Sequence, residues 1–360
     1  MQPTPRQIVD QTAEALGFAM VGVTRAMAIN HRDFFTRWLA QGRHGEMAYL
    51  ARDTAKRTDP AKLVPGASSV ICVADVYPGK GDRHLCSPQT SKKGASPQGR
   101  IARYAWGSDY HKVIKKRLYQ LADGLRCYWP DEQYKSCVDT APIMERDHAA
   151  RTELGWIGKH TLLIHPRLGS WLLLGQIVTT LVIEADEQTV TDHCGTCTRC
   201  IDACPTDCLA PYKIDASRCI SYLTIEHRGS IDPSLHPSMG DWLAGCDVCQ
   251  EVCPFNAPQR LNVHCQAPNS DSPAPTLALL DILNWDAQAR QKVLQGSALK
   301  RIKLDMFKRN ALIAAGNYLA RHSDPALRRK IELMAGDPDE VPMVRHTAGV
   351  VIERVRSAGC

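Results

Sequence analysis

Two groups of cysteines in the middle of the chain have the spacing of iron–sulfur ligands. They are Cys194, Cys197, Cys200 and Cys204 in one motif, and Cys246, Cys249 and Cys253 in another. Gaps of two or three residues let one loop supply several thiolates, and both motifs end in Cys-Pro, as in [4Fe–4S] ferredoxins. A zinc site or a disulfide framework is the alternative interpretation, but neither needs two Cys-Pro endings in tandem. The pattern therefore predicts two [4Fe–4S] clusters and a role in electron transfer.

The Cys-Pro endings also predict which thiolate binds which cluster. In two-cluster ferredoxins, the cysteine before each proline binds the cluster of the other motif. Cluster 1 then takes Cys194, Cys197, Cys200 and Cys253. Cluster 2 takes Cys204, Cys246 and Cys249 with a fourth thiolate from either Cys208 or Cys219. We favour Cys219, because Cys208 follows Cys204 by only four residues and is expected in a helix after the motif.

Length and composition describe an ordinary globular protein. A chain of 360 residues with 44% hydrophobic residues is expected to form two or three domains. The longest apolar stretch, residues 171–183, is too short to span a bilayer, and the N-terminus does not resemble a secretory signal. Fifteen cysteines without such a signal indicate a reducing compartment. The sequence predicts a cytoplasmic protein without a membrane partner.

Basic residues are concentrated in two stretches, although the net charge is only +6. Residues 296–330 contain nine Lys or Arg against two Asp, and residues 89–117 contain eight against one. Each stretch could be a solvated helix face, but the two together favour a polyanionic partner such as nucleic acid. The candidate contacts in the C-terminal stretch are Lys300, Arg301, Lys303, Lys308 and Arg309.

Strand and helix patterns mix along the first half of the chain. Residues 18–24 and 70–77 are typical of strands, residues 46–51 and 109–128 of helices, and residues 161–165 and 170–183 are β-rich. No Gly-x-Gly-x-x-Gly follows a strand, and the strict βαβ rhythm of a doubly wound sheet is missing. An α+β fold is therefore favoured over a Rossmann fold.

Three units are predicted along the chain. Residues 1–186 form a mixed domain, residues 187–262 hold the clusters, and residues 276–360 are helical after a Pro/Ser/Asn-rich linker. Within the last unit, helices are predicted at 304–321, 325–335 and 342–356. The last two resemble one unit of a helical solenoid.

Several longer motifs resemble those of one enzyme family. They are KRTDP at 56–60, SCVDTAPIMER at 136–146, GWIGKH at 155–160, RCISYLTIE at 218–226 and GCDVCQ at 245–250. In this order, and together with the cluster cysteines, they are similar to the motifs of the epoxyqueuosine reductase family. The match extends from the N-terminus to the last helices. One departure is Asp207-Cys208, where the family usually has Gly-Ala; it adds a spare thiol beside cluster 2.

The resemblance implies a cobalamin-dependent enzyme of transfer RNA modification. Such enzymes reduce the epoxide of epoxyqueuosine, at the wobble position of a GUN anticodon, and this completes queuosine. It implies base-off cobalamin, reduced to cob(I)alamin by electrons that two [4Fe–4S] clusters pass on from an external flavodoxin or ferredoxin. The implied fold has a nitroreductase-like cobalamin-binding domain, a ferredoxin-like module with two clusters, and C-terminal HEAT-like helices. We expect the chain to act as a monomer.

The same resemblance assigns roles to individual residues. Asp139 is the implied general acid, and its place after an apolar strand suggests a raised pKa. Without the resemblance, an Asx turn or helix cap would be the better interpretation of Asp139. Glu145 and Arg146 are read as a structural ion pair or a loop anchor. The implied cobalamin contacts are Arg57, Asp139, Lys159, His160, Ser170 and Ser221.

Two other functions compete with this one. A corrinoid reductive dehalogenase would share cobalamin and both clusters, but such enzymes typically carry a twin-arginine export signal and have no use for a basic helical tail. A non-catalytic iron–sulfur electron carrier would explain the clusters alone. It would leave the first 186 residues and the basic tail without a role.

Overall fold

The computed structural model describes residues 3–77, 96–257 and 275–357. The α-helices of this part are α1 (Pro5–Ala15), α2 (Arg32–Ala40), α3 (Thr54–Thr58), α4 (Pro60–Leu63), α5 (Tyr110–Arg126), α6 (Glu145–Ala149), α7 (Arg199–Asp202), α8 (Ile220–Ile225), α9 (Val248–Glu251), α10 (Leu279–Asn284), α11 (Ala287–Val293), α12 (Leu304–Leu319), α13 (Pro325–Gly336) and α14 (Pro342–Ser357). The strands are β1 (Met20–Arg25), β2 (Ser69–Val76), β3 (Gln98–Ile101), β4 (Tyr134–Cys137), β5 (Trp156–Ile157), β6 (Leu163–Ile164), β7 (Leu172–Thr179), β8 (Leu209–Ala210), β9 (Lys213–Ile214), β10 (Trp242–Ala244) and β11 (Thr276–Ala278). Short 3₁₀ helices lie at Ala48–Leu50, Arg103–Ala105, Ala216–Arg218, Pro233–Leu235, Pro237–Met239, Pro254–Asn256 and Ala298–Arg301.

The central sheet of the N-terminal part has the strand order β1-β2-β7-β4. Every neighbouring pair in it is antiparallel. The two middle strands, β2 and β7, pair along eight residues from Ser69–Thr179 to Val76–Leu172. An antiparallel sheet can be built from hairpins and long returns without βαβ crossovers, as the missing βαβ rhythm of the sequence predicts.

Both faces of the central sheet are covered by apolar side chains. On one face, Ile8 of α1 and Leu118 of α5 pack against Val73 and Ile177. Helix α5 lies close to the sheet, because a Cβ at Gly175 would come within 2.7 Å of the Ile114 side chain. On the other face, α6 and the chain that follows it pack against β2, β4 and β7. The sheet therefore fixes the loop from β4 to α6, residues 138–144, which is the middle of the 136–146 motif.

A second, smaller sheet joins the three predicted units. Strand β3 lies in its middle, parallel to β10 and antiparallel to β11. These strands come from residues 1–186, 187–262 and 276–360 respectively. Arg100 of β3 pairs with Asp241 at 2.6 Å and lies over the Trp242 ring. The three units therefore share one sheet. The predicted linker between residues 262 and 276 lies mostly outside the described residues.

The C-terminal part is helical, and its predicted helices are confirmed as α12, α13 and α14. Helix α12 is buried along most of its length and packs with α14. A Cβ at Gly316 would come within 2.7 Å of Val351, so these two helices lie in close contact. Among the described residues, no helix combines the length and apolar character needed to cross a membrane.

Candidate functional site

Asp139 lies in the loop between β4 and α6, at the edge of the central sheet. Its backbone has a φ of 45°, which aspartate tolerates better than most residues. Its N–H donates to Glu145 Oε1 at 2.8 Å, and its side chain is 44% exposed. The N-terminus of α6 follows Met144 and has no side-chain cap. Asp139 therefore does not cap the next helix and is free for another role.

The Asp139 carboxylate belongs to a chain of three side chains. His111 Nε2 lies 2.9 Å from Asp139 Oδ2, and His111 Nδ1 lies 2.8 Å from Asp109 Oδ1. Asp109 also caps α5 by accepting from the His111 N–H, and the Tyr110 ring stacks on the imidazole. In the sequence, His111 stands out only as part of the basic stretch at 89–117. Its contact with Asp139 crosses 28 residues, and no local pattern marks it.

The electrostatics of these three side chains contradict the predicted pKa shift of Asp139. Burial disfavours the Asp139 carboxylate, but the hydrogen bond and charge of His111, with Arg301 and Arg146, outweigh burial and lower its pKa. Burial likewise opposes protonation of His111, yet its bonds to Asp139 and Asp109 raise its pKa. The predicted raised pKa of Asp139 is therefore wrong. Both shifts favour an imidazolium between two carboxylates over a neutral ring beside a protonated carboxyl group.

The raised carboxyl pKa belongs instead to Glu145. Burial raises the pKa of Glu145 to about 8, and the nearby Asp139 charge adds to this, so Glu145 is largely protonated at neutral pH. Glu145 anchors the loop through the Asp139 N–H, whereas Arg146 donates to the Thr161 carbonyl. No Glu145–Arg146 ion pair occurs among those of the described residues. Of the two interpretations of this pair, the loop anchor agrees with the structure.

Two of the residues implied as cobalamin contacts carry unpaired buried atoms. Arg57 donates to the Tyr49 carbonyl at 3.2 Å, but its buried Nε has no partner. His160 accepts from the Leu162 N–H through Nδ1, and its buried Nε2 is also without a partner. Burial lowers the pKa of His160 to about 4, so the ring is neutral. Buried polar atoms are normally bonded, and these two therefore suit a polar ligand.

The other implied cobalamin contacts differ. Lys159 Nζ donates to the carbonyls of Gly195 and Cys197 at 2.6 and 3.0 Å, so it holds the cluster 1 loop. The buried Ser170 hydroxyl lies within hydrogen-bonding distance of the Asn256 and Gln250 amides. These bonds favour structural roles for the side chains of Lys159 and Ser170. Ser221 is half-buried two residues after Cys219.

The thiols predicted for cluster 1 are brought together. Cys253, from the second motif, lies near enough to Cys194, Cys197 and Cys200 for their charges to act on its thiol. These four cysteines line one cavity of about 190 Å³ with His160. The crossing of the Cys-Pro cysteine between motifs, which the ferredoxin rule predicts, therefore occurs in the fold.

The thiols predicted for cluster 2 form a second group. Cys249 lies near Cys246 and Cys219, and Cys246 lies near Cys204 and Cys219. Across the described ranges, no three His, Cys, Asp or Glu side chains converge closely enough for a single metal ion. Two wider groups of thiols fit four-iron clusters, which bind one thiolate at each iron.

Cys208 does not lie in a helix, and that prediction is wrong. Asp207 adopts a φ of 50°, and Cys208 then leads into β8. Its sulfur lies 3.4 Å from that of Cys204. The group around cluster 2 therefore holds five thiols.

The predicted RNA contacts divide into buried and exposed side chains. Arg309 is 0% exposed and donates to the carbonyls of Leu223, His227 and Gly229, so its prediction as an RNA contact is wrong. Arg301 pairs with Glu226, and its charge reaches Asp139. Lys308 pairs with Glu340. The exposed basic candidates besides Arg301 are Lys300 and Lys303.

Two family models match the chain. Residues 57–140 match the model described as epoxyqueuosine reductase QueG, DUF1730, and residues 193–256 match that of a 4Fe-4S double cluster binding domain. The epoxyqueuosine reductase of Pseudomonas aeruginosa is 36% identical over 316 residues, which cover 86% of this chain and 85% of that protein. That of Cyclobacterium marinum is 38% identical over 309 residues, with 84% and 94% covered.

Solved structures agree with these matches. An epoxyqueuosine reductase from Streptococcus thermophilus has a TM-score of 0.84 at 28% identity, covering 97% of this chain and 90% of that one. An epoxyqueuosine reductase bound to an epoxyqueuosine-modified tRNA stem loop has a TM-score of 0.83 at 28% identity, covering 96% and 89%. With relatives above one third identity over most of its length, the chain belongs to the epoxyqueuosine reductase family of oxidoreductases.

Proposed function

We propose that this chain reduces the epoxide of epoxyqueuosine in transfer RNA to the alkene of queuosine, the last step of that modification. The observation that carries the proposal is the Asp109–His111–Asp139 chain, which holds a proton beside an open loop within the family-matched region. Loss of an epoxide oxygen requires two electrons and protons for the departing oxygen. The clusters can deliver electrons singly, and Asp139 can deliver a proton.

The cofactor of the proposed reaction is base-off cobalamin, which supplies a two-electron cobalt nucleophile when bound. Arg57 and His160 are the residues that would hold its polar edge, because each has a buried nitrogen without a partner. Arg57 is close enough to the Asp139 carboxylate for that charge to act on it. His160 lines the cluster 1 cavity. The candidate cofactor contacts therefore lie between the proton donor and the clusters.

The proton would move along atoms that are already bonded. Between turnovers it is held on His111 Nε2, because the pKa of His111 is raised and that of Asp139 is lowered. In turnover it passes to Asp139 Oδ2 and then to the departing oxygen. Asp109 keeps its bond to Nδ1 and holds the ring in place. One similar solved structure is that of the epoxyqueuosine reductase from Bacillus subtilis, with a TM-score of 0.84 at 28% identity over 96% of this chain and 89% of that one. In that structure the catalytic aspartate loop is swung out of the active site. This supports a catalytic role for an aspartate on a loop here.

The substrate proposed is a transfer RNA with a GUN anticodon that carries epoxyqueuosine. Lys300 and Lys303 would bind its phosphates, with Arg301 at the border between RNA and the Asp139 loop. The first unit is proposed to be nitroreductase-like, the cluster module ferredoxin-like and the last unit HEAT-like. An external flavodoxin or ferredoxin would supply electrons to a monomer.

The proposal is tested by nucleoside analysis. The chain is expressed in a bacterium that lacks its own epoxyqueuosine reductase, and bulk tRNA is digested and analysed by mass spectrometry. We expect queuosine to replace epoxyqueuosine, and we expect the anaerobically purified protein to contain a corrinoid. Unchanged epoxyqueuosine with a well-folded, cluster-loaded protein would contradict the proposal.

Two controls separate the competing functions. A corrinoid without tRNA activity, together with turnover of a halogenated phenol, would point to a reductive dehalogenase. Two clusters without any corrinoid would point to a non-catalytic electron carrier. If the protein has no activity on tRNA, these two results decide between the dehalogenase and the electron carrier.

A further inference from the structure

Cys208 is a fifth thiol in a group where a cluster takes four. It is 6% exposed and sits at the base of the β8–β9 hairpin, where the Asp215 N–H donates to its carbonyl at 2.8 Å. The left-handed backbone of Asp207 turns the chain so that Cys208 returns beneath Cys204. A buried thiol fixed in this way cannot be treated as a surface cysteine.

Cys208 lies between two of the expected ligands of cluster 2. Its sulfur is 3.4 Å from Cys204 Sγ, and its thiol also interacts directly with that of Cys219. Sequence rules left Cys208 and Cys219 as the two candidates for one ligand position. Because the fold places both at that position, a small movement of the hairpin base would suffice to exchange them.

We propose that Cys208 is a reserve ligand of the second [4Fe–4S] cluster, which binds the iron of Cys219 when the Cys219 thiolate is missing. In an exchange, the iron–Cys219 bond breaks, an iron–Cys208 bond forms, and the Cys208 proton passes to the departing Cys219 thiolate. Where Cys219 has been replaced, only the iron–Cys208 bond forms, and the Cys208 proton is released to solvent. Neither step needs an oxidant or a reductant. Each iron still takes one thiolate, so the cluster keeps its charge and composition. Unlike Cys204 and Cys219, the ligands Cys246 and Cys249 have no such neighbour among the described cysteines outside the set.

The test is the iron and sulfide content of five anaerobically reconstituted variants. Cys219→Ala and Cys208→Ala are each expected to keep about eight irons, and the double variant about four. Cys246→Ala, which has no spare thiol, is the matched control and should hold about four irons. Cys127→Ala, an exposed cysteine away from the clusters, should retain about eight irons.

Electron paramagnetic resonance of the reduced proteins separates a lost ligand from a lost fold. The spectrum of cluster 1 should persist in the double variant, while that of cluster 2 shifts in Cys219→Ala, because its ligand geometry has changed. The proposal is overturned if Cys219→Ala alone drops to about four irons, or if Cys208→Ala alone does so. It is equally overturned if the double variant keeps both clusters. None of these readouts depends on tRNA turnover, so they stand apart from the proposed function.

Discussion

At the scale of single residues, the site depends on which group holds a proton. Asp139 and Glu145 are six residues apart and share one hydrogen bond, yet their environments shift their pKa values in opposite directions. His111 sets the difference, because its bonds act on Asp139 and not on Glu145. Pairs of titratable groups shifted in opposite directions are a common feature of acid–base sites.

The first prediction concerns the pH dependence of proton delivery. The His111 proton is present below its raised pKa and is lost as the pH rises through it. The rate of a single turnover should therefore fall on the alkaline side. Asp109→Asn keeps the helix cap but removes one carboxylate charge, so it should move this fall to lower pH. His111→Gln should slow turnover by ~10-fold or more without changing the affinity for tRNA. An alkaline limb that is the same in all three proteins would contradict the relay.

The second prediction concerns Glu145 and stability. The folded state keeps a proton on Glu145 up to a pKa of about 8, whereas the unfolded chain releases it near 4.5. The folded state thus binds more protons in this window, and stability should fall as pH rises through it. In Glu145→Gln this decrease should be absent, so the variant gains a few kcal/mol relative to the parent by pH 8. Anaerobic urea unfolding at pH 5 and pH 8 measures this. The exposed Glu153→Gln is the control, and an equal pH dependence in Glu145→Gln and the parent would refute it.

The sequence identified part of this residue-level arrangement. Cysteine spacing predicted which thiols the fold brings near one another, because the ferredoxin rule exchanges Cys204 and Cys253 between the two motifs. The direction of the Asp139 pKa shift could not be predicted, because it depends on His111, Arg301 and Arg146 brought in by the fold. Arg309 belongs to the basic stretch at 296–330, but its hydrogen-bond acceptors are carbonyls of residues 223–229, which are far away in the sequence.

At the scale of elements, helix α12 connects the cluster module to the C-terminal helices. Arg309 donates to three carbonyls at and beyond the end of α8, and Asn310 donates to those of Thr224 and Leu243. The carbonyls of Leu223 and Thr224, at the end of α8, have no further helical turn to bond with, so the side chains of α12 complete their bonding. The buried guanidinium of Arg309 is tolerated here because its N–H groups donate to backbone carbonyls and to the Asn310 side-chain oxygen.

The third prediction follows from this contact. Arg309→Ala leaves several buried carbonyls unpaired and should lower the free energy of unfolding by on the order of 3 kcal/mol. Chemical denaturation of the reconstituted protein measures the change. The exposed Arg321→Ala, just beyond the C-terminus of α12, is the matched control and should stay within about 0.5 kcal/mol of the parent. Equal losses in both variants would show that Arg309 does not join the units.

Helices were predicted correctly where the hydrophobic pattern is long. They were predicted wrongly where the conformation of one or two residues ends or prevents the helix. The helix predicted at 109–128 is α5, with Asp109 as its cap. The helix predicted at 46–51 is only a 3₁₀ turn, Ala48–Leu50, after Gly45 at a φ of 57°. The helix expected around Cys208 is prevented by the left-handed Asp207, a conformation that sequence patterns do not reveal.

At the scale of the whole molecule, the small β3 sheet places the basic C-terminal residues next to the Asp139 loop. Arg301 pairs with Glu226 of the cluster module and acts on Asp139 of the first unit. Lys300 and Lys303 flank Arg301 and remain exposed. The Asp139 loop, the cluster module around Glu226 and the basic residues around Arg301 thus lie side by side. Their proximity could not be predicted, because they are far apart in the sequence and only the fold brings them together.

The fourth prediction is that this surface binds the tRNA phosphates. Reversing Lys300 and Lys303 to Glu should weaken tRNA binding and reduce the steepness of its salt dependence, since fewer counterions are released. Cluster content should be unchanged. Lys62→Glu with Lys135→Glu, an equal charge change on exposed lysines of the first unit, is the control. Binding that falls equally in both pairs would indicate a general charge effect.

A single turnover with epoxyqueuosine tRNA, comparing the parent with Asp139→Asn, is the most direct test that Asp139 donates the proton. Both proteins are loaded with clusters and cobalamin and reduced chemically, and the queuosine formed is quantified by mass spectrometry. We predict that Asp139→Asn binds tRNA normally but forms queuosine ~10²–10⁴-fold more slowly. Formation of queuosine at the parental rate in Asp139→Asn would contradict the proposed role of Asp139 and would show that the proton comes from another group.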